Sequence, residues 1–326
     1  MRPPITIDPA GFHSDTVGRK AGHKALKLAP EFGSLITQLG RPDGARFGRT
    51  VLGHLSVYLL ALGSIIHFQE NKWIQALACL IMANQLHILT ILQHDCGHRS
   101  GFRSEALNTW VGRALAWLII MPFTTFAEMH RRHHAYLGDV TRDPDAWFYS
   151  GGPGQVIFRE WLFMPRFIYL SLTVGLNPSA TRAIAWELAF TAVSYLAIIA
   201  GLVTIGRIDI LSFGVLGPIL LLALLISPVF RGAEHFTQTT QPLDAPHRYD
   251  LRFNTTSCTH PWISVLLIGV NFHVEHHMYP QVPVYRLHKL HALLNSKCYH
   301  RVPWPFSRRP LPTLPPPIPD PLQGRQ

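Results

Sequence analysis

The chain has 326 residues, 48% of them hydrophobic and only 15% charged, with a mean hydropathy of +0.15 and a formal net charge of +10. These values weigh against a soluble domain and fit an integral membrane protein with a basic face toward anionic lipid, with no nucleic acid among its expected partners. Four cysteines without a Cys-x-x-Cys pair argue against a disulfide framework and against an iron-sulfur or thiolate zinc site.

Residues 1–50 form an arm rich in Pro, Gly and basic residues without the apolar core of a signal peptide, so the first apolar span is expected to direct insertion. Spans are expected at 51–68, 73–93, 183–205 and 210–230, each near the ~20 residues that a crossing helix needs. Short linkers within the pairs give two hairpins. Apolar stretches at 115–126, 161–176 and 261–270 are too short, or too interrupted by Pro and Arg, and are expected to be interfacial or re-entrant helices. Arg and Lys concentrate in the arm (Arg19, Lys20, Lys24, Lys27), in the centre (Arg99, Arg103, Arg131, Arg132) and in the C-terminal region. By the positive-inside rule both termini and the central segment are cytosolic. Residues 301–326 are proline-rich and read as an extended, partly disordered tail, which leaves 51–300 as the membrane domain.

Three histidine boxes stand beside these spans: His94-Asp-Cys-Gly-His98, His130-Arg-Arg-His133-His134 and His273-Val-Glu-His276-His277. Positions i, i+3 and i+4 share one face of a helix, so each box can aim its imidazoles at a common point. A single pair at i, i+4 is most often an ordinary surface or core pair. Three boxes are not ordinary, and eight nitrogens exceed what one octahedral ion accepts, so two metal ions are expected. Cys96, between histidines at i and i+4, faces away and packs. His87, one heptad before His94, reads as a satisfied polar residue inside the membrane.

At these boxes, and above all at Asn271-Phe-His-Val-Glu-His-His-Met-Tyr-Pro-Gln-Val-Pro, the chain resembles the membrane fatty acid desaturase family from about residue 52 to residue 294. The resemblance implies an all-α integral membrane protein of four transmembrane helices with a histidine-bound diiron site capping them on the cytosolic side. It also implies two Fe2+ ions, O2 as co-substrate and oxidation of an unactivated C–H bond in a lipid chain. Carried over by position, His94, His98, His130, His133, His134, His273, His276 and His277 become iron ligands. His235 is the expected ninth ligand. Its neighbour Glu234 is a weaker candidate, and an arrangement of both residues with Arg231 is the alternative. Asn271 either orients a ligand or contacts a metal-bound water, or else caps a helix. Asp95, Glu275, Asp143 and Asp145 are candidates for holding histidine N–H groups in the metal-binding tautomer.

Iron follows from the implied redox chemistry, because nitrogen ligands alone would also suit zinc. The chain holds neither a His-Pro-Gly-Gly cytochrome b5 motif nor a ferredoxin cysteine pattern, so a separate ferredoxin-like or cytochrome b5-like donor is expected to supply electrons. Desaturation of a fatty acyl chain is the commonest outcome on such boxes. Hydroxylation or ketolation of a carotenoid, alkane or other lipid uses the same residues, and a membrane metal transporter or sensor is the reading from a different class. Transporters, however, place their ligands near mid-span, whereas these boxes are expected beyond the span ends.

Overall fold

The computed structural model describes residues 30–139, 141–149, 153–235, 255–258 and 261–295. Regular structure among the described residues is helical, apart from one antiparallel bridge between Ser257 and Phe272. A short α1 (Pro30–Leu39) precedes α2 (Gly44–His67) and α3 (Lys72–Gly97), followed by α4 (Glu105–Leu118) and α5 (Phe123–Tyr136). Next come α6 (Pro153–Glu160), α7 (Phe163–Thr173), α8 (Pro178–Thr204) and α9 (Ile210–Glu234), and then α10 (Pro261–Leu266), α11 (His273–Met278) and α12 (Val284–Asn295). Four of these, α2, α3, α8 and α9, are long and apolar enough to cross a membrane. The arm before residue 30 and the tail 301–326 lie outside the described residues.

Polar side chains set where the spans begin. Asp43 accepts the amide of Arg46 at 3.0 Å to start α2, Asn71 accepts those of Trp73 and Ile74 at 3.1 Å to start α3, and Asn177 accepts that of Ala180 at 2.9 Å ahead of Pro178 in α8. Two boundaries differ from expectation. The first span starts before residue 51, and α3 runs past residue 93 to carry His94 within its last turn. The fourth span is not a uniform α-helix. Pro218 and Pro228 lack the N–H that a regular turn requires, and π turns at Ile210–Leu216 and Leu222–Ile226 lie just ahead of them. Gly217 lets this helix approach α3 closely, because a Cβ there would lie 2.8 Å from the Cys79 sulfur.

The stretch at 115–126, expected to be interfacial or re-entrant, is a corner. Helices α4 and α5 meet at 105°. Ile120 takes a left-handed conformation (φ +60°) in the turn, and the ring of Phe123 packs where a Cβ on Gly112 would stand. The other two short stretches form α7 and α10. At the centre of the molecule lies α3, whose C-terminal turns are surrounded by three apolar clusters. Leu86 packs with Phe126, Met129 and Phe148; Leu92 and Cys96 pack with Phe47 and Leu115; Ile91 packs with Val270 and Phe272. Cys96 is thus a packing residue, as expected. These clusters hold the ends of α3, α5 and α9 together with α11, and those are the elements that carry the histidines.

Candidate metal centre

Each histidine is delivered by the end of a helix or by a short one. His94 and His98 lie at the close of α3, His130, His133 and His134 in the second half of α5, His273, His276 and His277 on α11, and His235 directly after α9. The nine rings converge in two groups. In one, His94, His98, His130, His134 and His276 each bring one ring nitrogen within 4.8 Å of every other. The Nε2 atoms are 3.0 Å apart between His94 and His276, 3.0 Å between His130 and His134, and 3.1 Å between His134 and His276. In the other, His133, His235 and His277 converge, and the Nε2 of His273 lies 2.9 Å from that of His235 and 3.0 Å from that of His277.

These spacings fit metal ions. Nitrogens bound at ~2.1 Å and adjacent on an octahedron lie about 3.0 Å apart. Chains of imidazole nitrogens cannot all satisfy one another by hydrogen bonding, and the Nε2 atoms of His98 and His133 are buried with no partner in the protein. Burial pushes the imidazoles of His98, His130, His134, His273, His276 and His277 well below their ordinary pKa, with neighbouring rings adding to the effect. Their lone pairs are therefore free for a cation. Burial acts the same way on His133, but Asp143 and Asp145 outweigh it and raise that group.

A carboxylate layer backs the rings. Asp143 takes the Nδ1–H of His133 at 2.9 Å and is itself held by the backbone amides of Gly138 and Asp145. Glu234 lies 3.8 Å from the Nδ1 of His273, so it stands behind that ring, and Asp95 lies 3.6 Å from the Nδ1 of His94 while accepting the Val284 amide at 3.0 Å. Glu275 points away from the cluster, bridging the Ser257 hydroxyl at 2.6 Å and the Nδ1 of His291. Asn271 donates through Nδ2 to the Cys258 carbonyl at 2.5 Å and to the Ser264 hydroxyl at 2.9 Å, which ties the loop ahead of α11. A hydrogen-bonded carboxylate such as Asp143 fixes the tautomer and orientation of its ring.

Sequence reasoning missed several residues here. Arg231 was expected only as the alternative partner of Glu234 and His235; in the fold it donates to Asp145 and Glu160, each at 3.0 Å, and to the Tyr149 hydroxyl at 3.1 Å. The Tyr149 ring in turn lies 4.6 Å from that of His235. The signal for this network was the placement of Glu160 and Arg231 beside long apolar stretches. The expectation of a satisfied His87 also changes, since its Nε2 is buried and unpartnered. An apolar cavity reaches from His94, His130 and His273 past Phe126 and Met121 to Ile219 and Leu222.

A family model described as fatty acid desaturase matches residues 71–309. A sphingolipid delta(4)-desaturase/C4-monooxygenase of Rattus norvegicus is 27% identical over 257 residues, which cover 76% of this chain and 73% of the relative. An sn-1 oleoyl-lipid 12-desaturase of Picosynechococcus is 27% identical over 63% of this chain and 65% of its own length. An endoplasmic reticulum omega-3 fatty acid desaturase of Vigna radiata is 26% identical over 61% of this chain and 59% of its own.

Proposed function

The chain belongs to the fatty acid desaturase family, which makes it a lipid-desaturating oxidoreductase of the membrane, and we propose that it uses O2 at a diiron site of nine histidines to place a double bond in a fatty acyl chain. The observation that carries this reading is the convergence of the nine imidazoles into two sets with Nε2 spacings of 2.9–3.1 Å. One ion would be held by His94, His98, His130, His134 and His276, the other by His133, His235, His273 and His277. When bound, iron supplies activation of O2, which zinc, having no redox chemistry, does not.

The remaining work belongs to the chain's own residues. Asp143 keeps a proton on the Nδ1 of His133, leaving its Nε2 as the donor to metal, while Glu234 places a carboxyl 3.8 Å behind the Nδ1 of His273. Burial pushes Glu160 up to about 7 against the pull of Arg231, so its Oε1 can hold a proton near neutral pH while Oε2 keeps the arginine. Phe126, Met121, Ile219 and Leu222 line the cavity with hydrocarbon, excluding water and holding a methylene chain against the histidines.

Two spanning hairpins, with the histidine-bearing ends forming a cytosolic cap, fit the distribution of Arg and Lys, and 51–300 serves as the catalytic membrane domain. Two electrons per turnover come from a separate ferredoxin-like or cytochrome b5-like protein. Arg131, exposed beside the second box, belongs to the basic face suited to an acidic donor. The transporter reading is not favoured, because the histidines collect at one end of α3 and α9 rather than midway along them.

Lipid profiling of a host expressing the wild-type chain, beside His133→Ala and His276→Ala, tests the proposal together with iron analysis of the purified proteins. A product lighter by two hydrogens with wild type alone, and about two irons per chain that fall in both variants, is the expected result. An oxygenated product would move the reaction to hydroxylation or ketolation. Absence of iron would overturn the site.

A further inference from the structure

Gln93 is fully buried one residue before His94, and neither its side-chain oxygen nor its nitrogen has a hydrogen-bond partner. It lines the same cavity as His94 and His130. His87 lines that cavity about 9 Å earlier along α3, at 1.5 Å of rise per residue. Its ring stacks on Phe230 with centroids 5.2 Å apart, and its Nε2 is buried and unpartnered. Buried polar groups without partners are rare, and those in a binding cavity point to a ligand that completes them.

The chemistry of that ligand follows from the atoms on offer. An amide presents both a donor and an acceptor, so its complement also donates and accepts. A bare methylene chain would leave both atoms of Gln93 unpaired. An anionic group is disfavoured, because Arg231, the cation on this wall, is committed to Asp145 and Glu160.

We propose that Gln93 recognises a neutral hydroxyl or amide carried by the lipid substrate within a few bonds of the carbons that react, with His87 as a second polar contact farther along the cavity. The substrate class is then a lipid substituted with a hydrogen-bonding group beside the reacting methylenes, rather than a simple acyl ester. This inference rests on the proposed reaction for where those methylenes lie.

The test compares N-(2-hydroxyethyl)octadecanamide with methyl octadecanoate, which share a chain but differ in hydrogen-bond donors, using detergent-purified iron-loaded protein supplied with O2 and, in parallel, with reduced ferredoxin or reduced cytochrome b5 as electron donor. Wild type, Gln93→Met and His87→Phe are compared by turnover, by lipid binding in native mass spectrometry and by iron content. Wild type should favour the amide, and Gln93→Met should bind it about ten-fold more weakly or worse while keeping its iron and its binding of the ester. Equal binding of both lipids by wild type, or an unchanged preference in Gln93→Met, would overturn the proposal. Selective binding without product from either lipid would support recognition by Gln93 while overturning the reaction.

Discussion

Helices α3 and α8 look alike as sequences and behave as opposites in the fold. Their most apolar windows have mean hydropathies of 1.6 and 1.8, yet 61% of the α3 window is buried inside the protein against 11% of that in α8. Buried α3 carries Gln85, His87, Gln93, His94 and Asp95 among its apolar residues, while the outer face of α8 presents Trp186, Phe190, Val193 and Leu196. Among the described residues, α8 acts on the start of α5 through Glu187. Glu187 takes the guanidinium of Arg113 at 2.7 Å and the amide and hydroxyl of Thr124 at 2.8 and 2.7 Å, pinning the start of α5. Hydropathy therefore reports that a helix can enter a membrane, while polar residues scattered along it report which helix the others surround.

The contrast is tested most severely at the histidine end of α3. His94→Ala removes a nitrogen from the five-histidine group and should reduce desaturated product to background and lower bound iron, whereas Ser194→Ala on α8 should retain both. Mass spectrometry of lipids with metal analysis reads both variants. A His94→Ala protein with unchanged iron would place that residue outside the metal set.

Acid gives the next largest effect. Six imidazoles have folded-state values well below ordinary because of burial, so below about pH 6.5 the unfolded chain binds more protons than the metal-free folded one. Stability of the metal-free protein should thus be intact above that pH and fall as pH drops, by about 1.4 kcal/mol per pH unit for each imidazole that stays neutral. Thermal unfolding between pH 7.5 and 5 measures it. A transition independent of pH would mean that the rings are hydrated.

Packing around α3 comes third. Met82 is fully buried between Ile65 and Ala61 of α2, and Met82→Ala should cost about 2–5 kcal/mol through the cavity it leaves. Asp143→Asn should be milder for the fold and act on the metal. Its Nδ1 partner loses the carboxylate, and iron retention should weaken about 10–100-fold in competition with a chelator. Retention equal to wild type would leave Asp143 as a loop residue only.

How much of this was legible depended on what each residue needs in order to be recognised. The three boxes announce themselves because i, i+3, i+4 spacing is local. Their division is not local in that sense. His133 and His134 are sequence neighbours that enter different groups, since successive residues on α5 point about 100° apart and the two groups flank that helix on different sides. The family resemblance placed His235 among the ligand candidates, and the fold brings it beside His273. The network behind it was hidden, because Glu160 and Tyr149 reach Arg231 across 71 and 82 residues of chain. The left-handed turn that makes the α4–α5 corner was hidden too, because a β-branched Ile120 gives no sign of it.

The smallest expected effect lies on the outer face of α8. Leu196 is 66% exposed, and in lipid its side chain leaves one hydrocarbon surrounding for another on unfolding within the membrane, so burial contributes little. Leu196→Ala should change stability by no more than about 0.5 kcal/mol, as surface substitutions do, and should leave turnover unaltered. Reversible unfolding of the two proteins in matched mixed micelles would measure the difference. A loss of 2 kcal/mol or so, in the range of a filled core position, would mean that this face is covered in the membrane. The difference between α3 and α8 would then be one of partners, with α3 surrounded by its own chain and α8 by another protein surface.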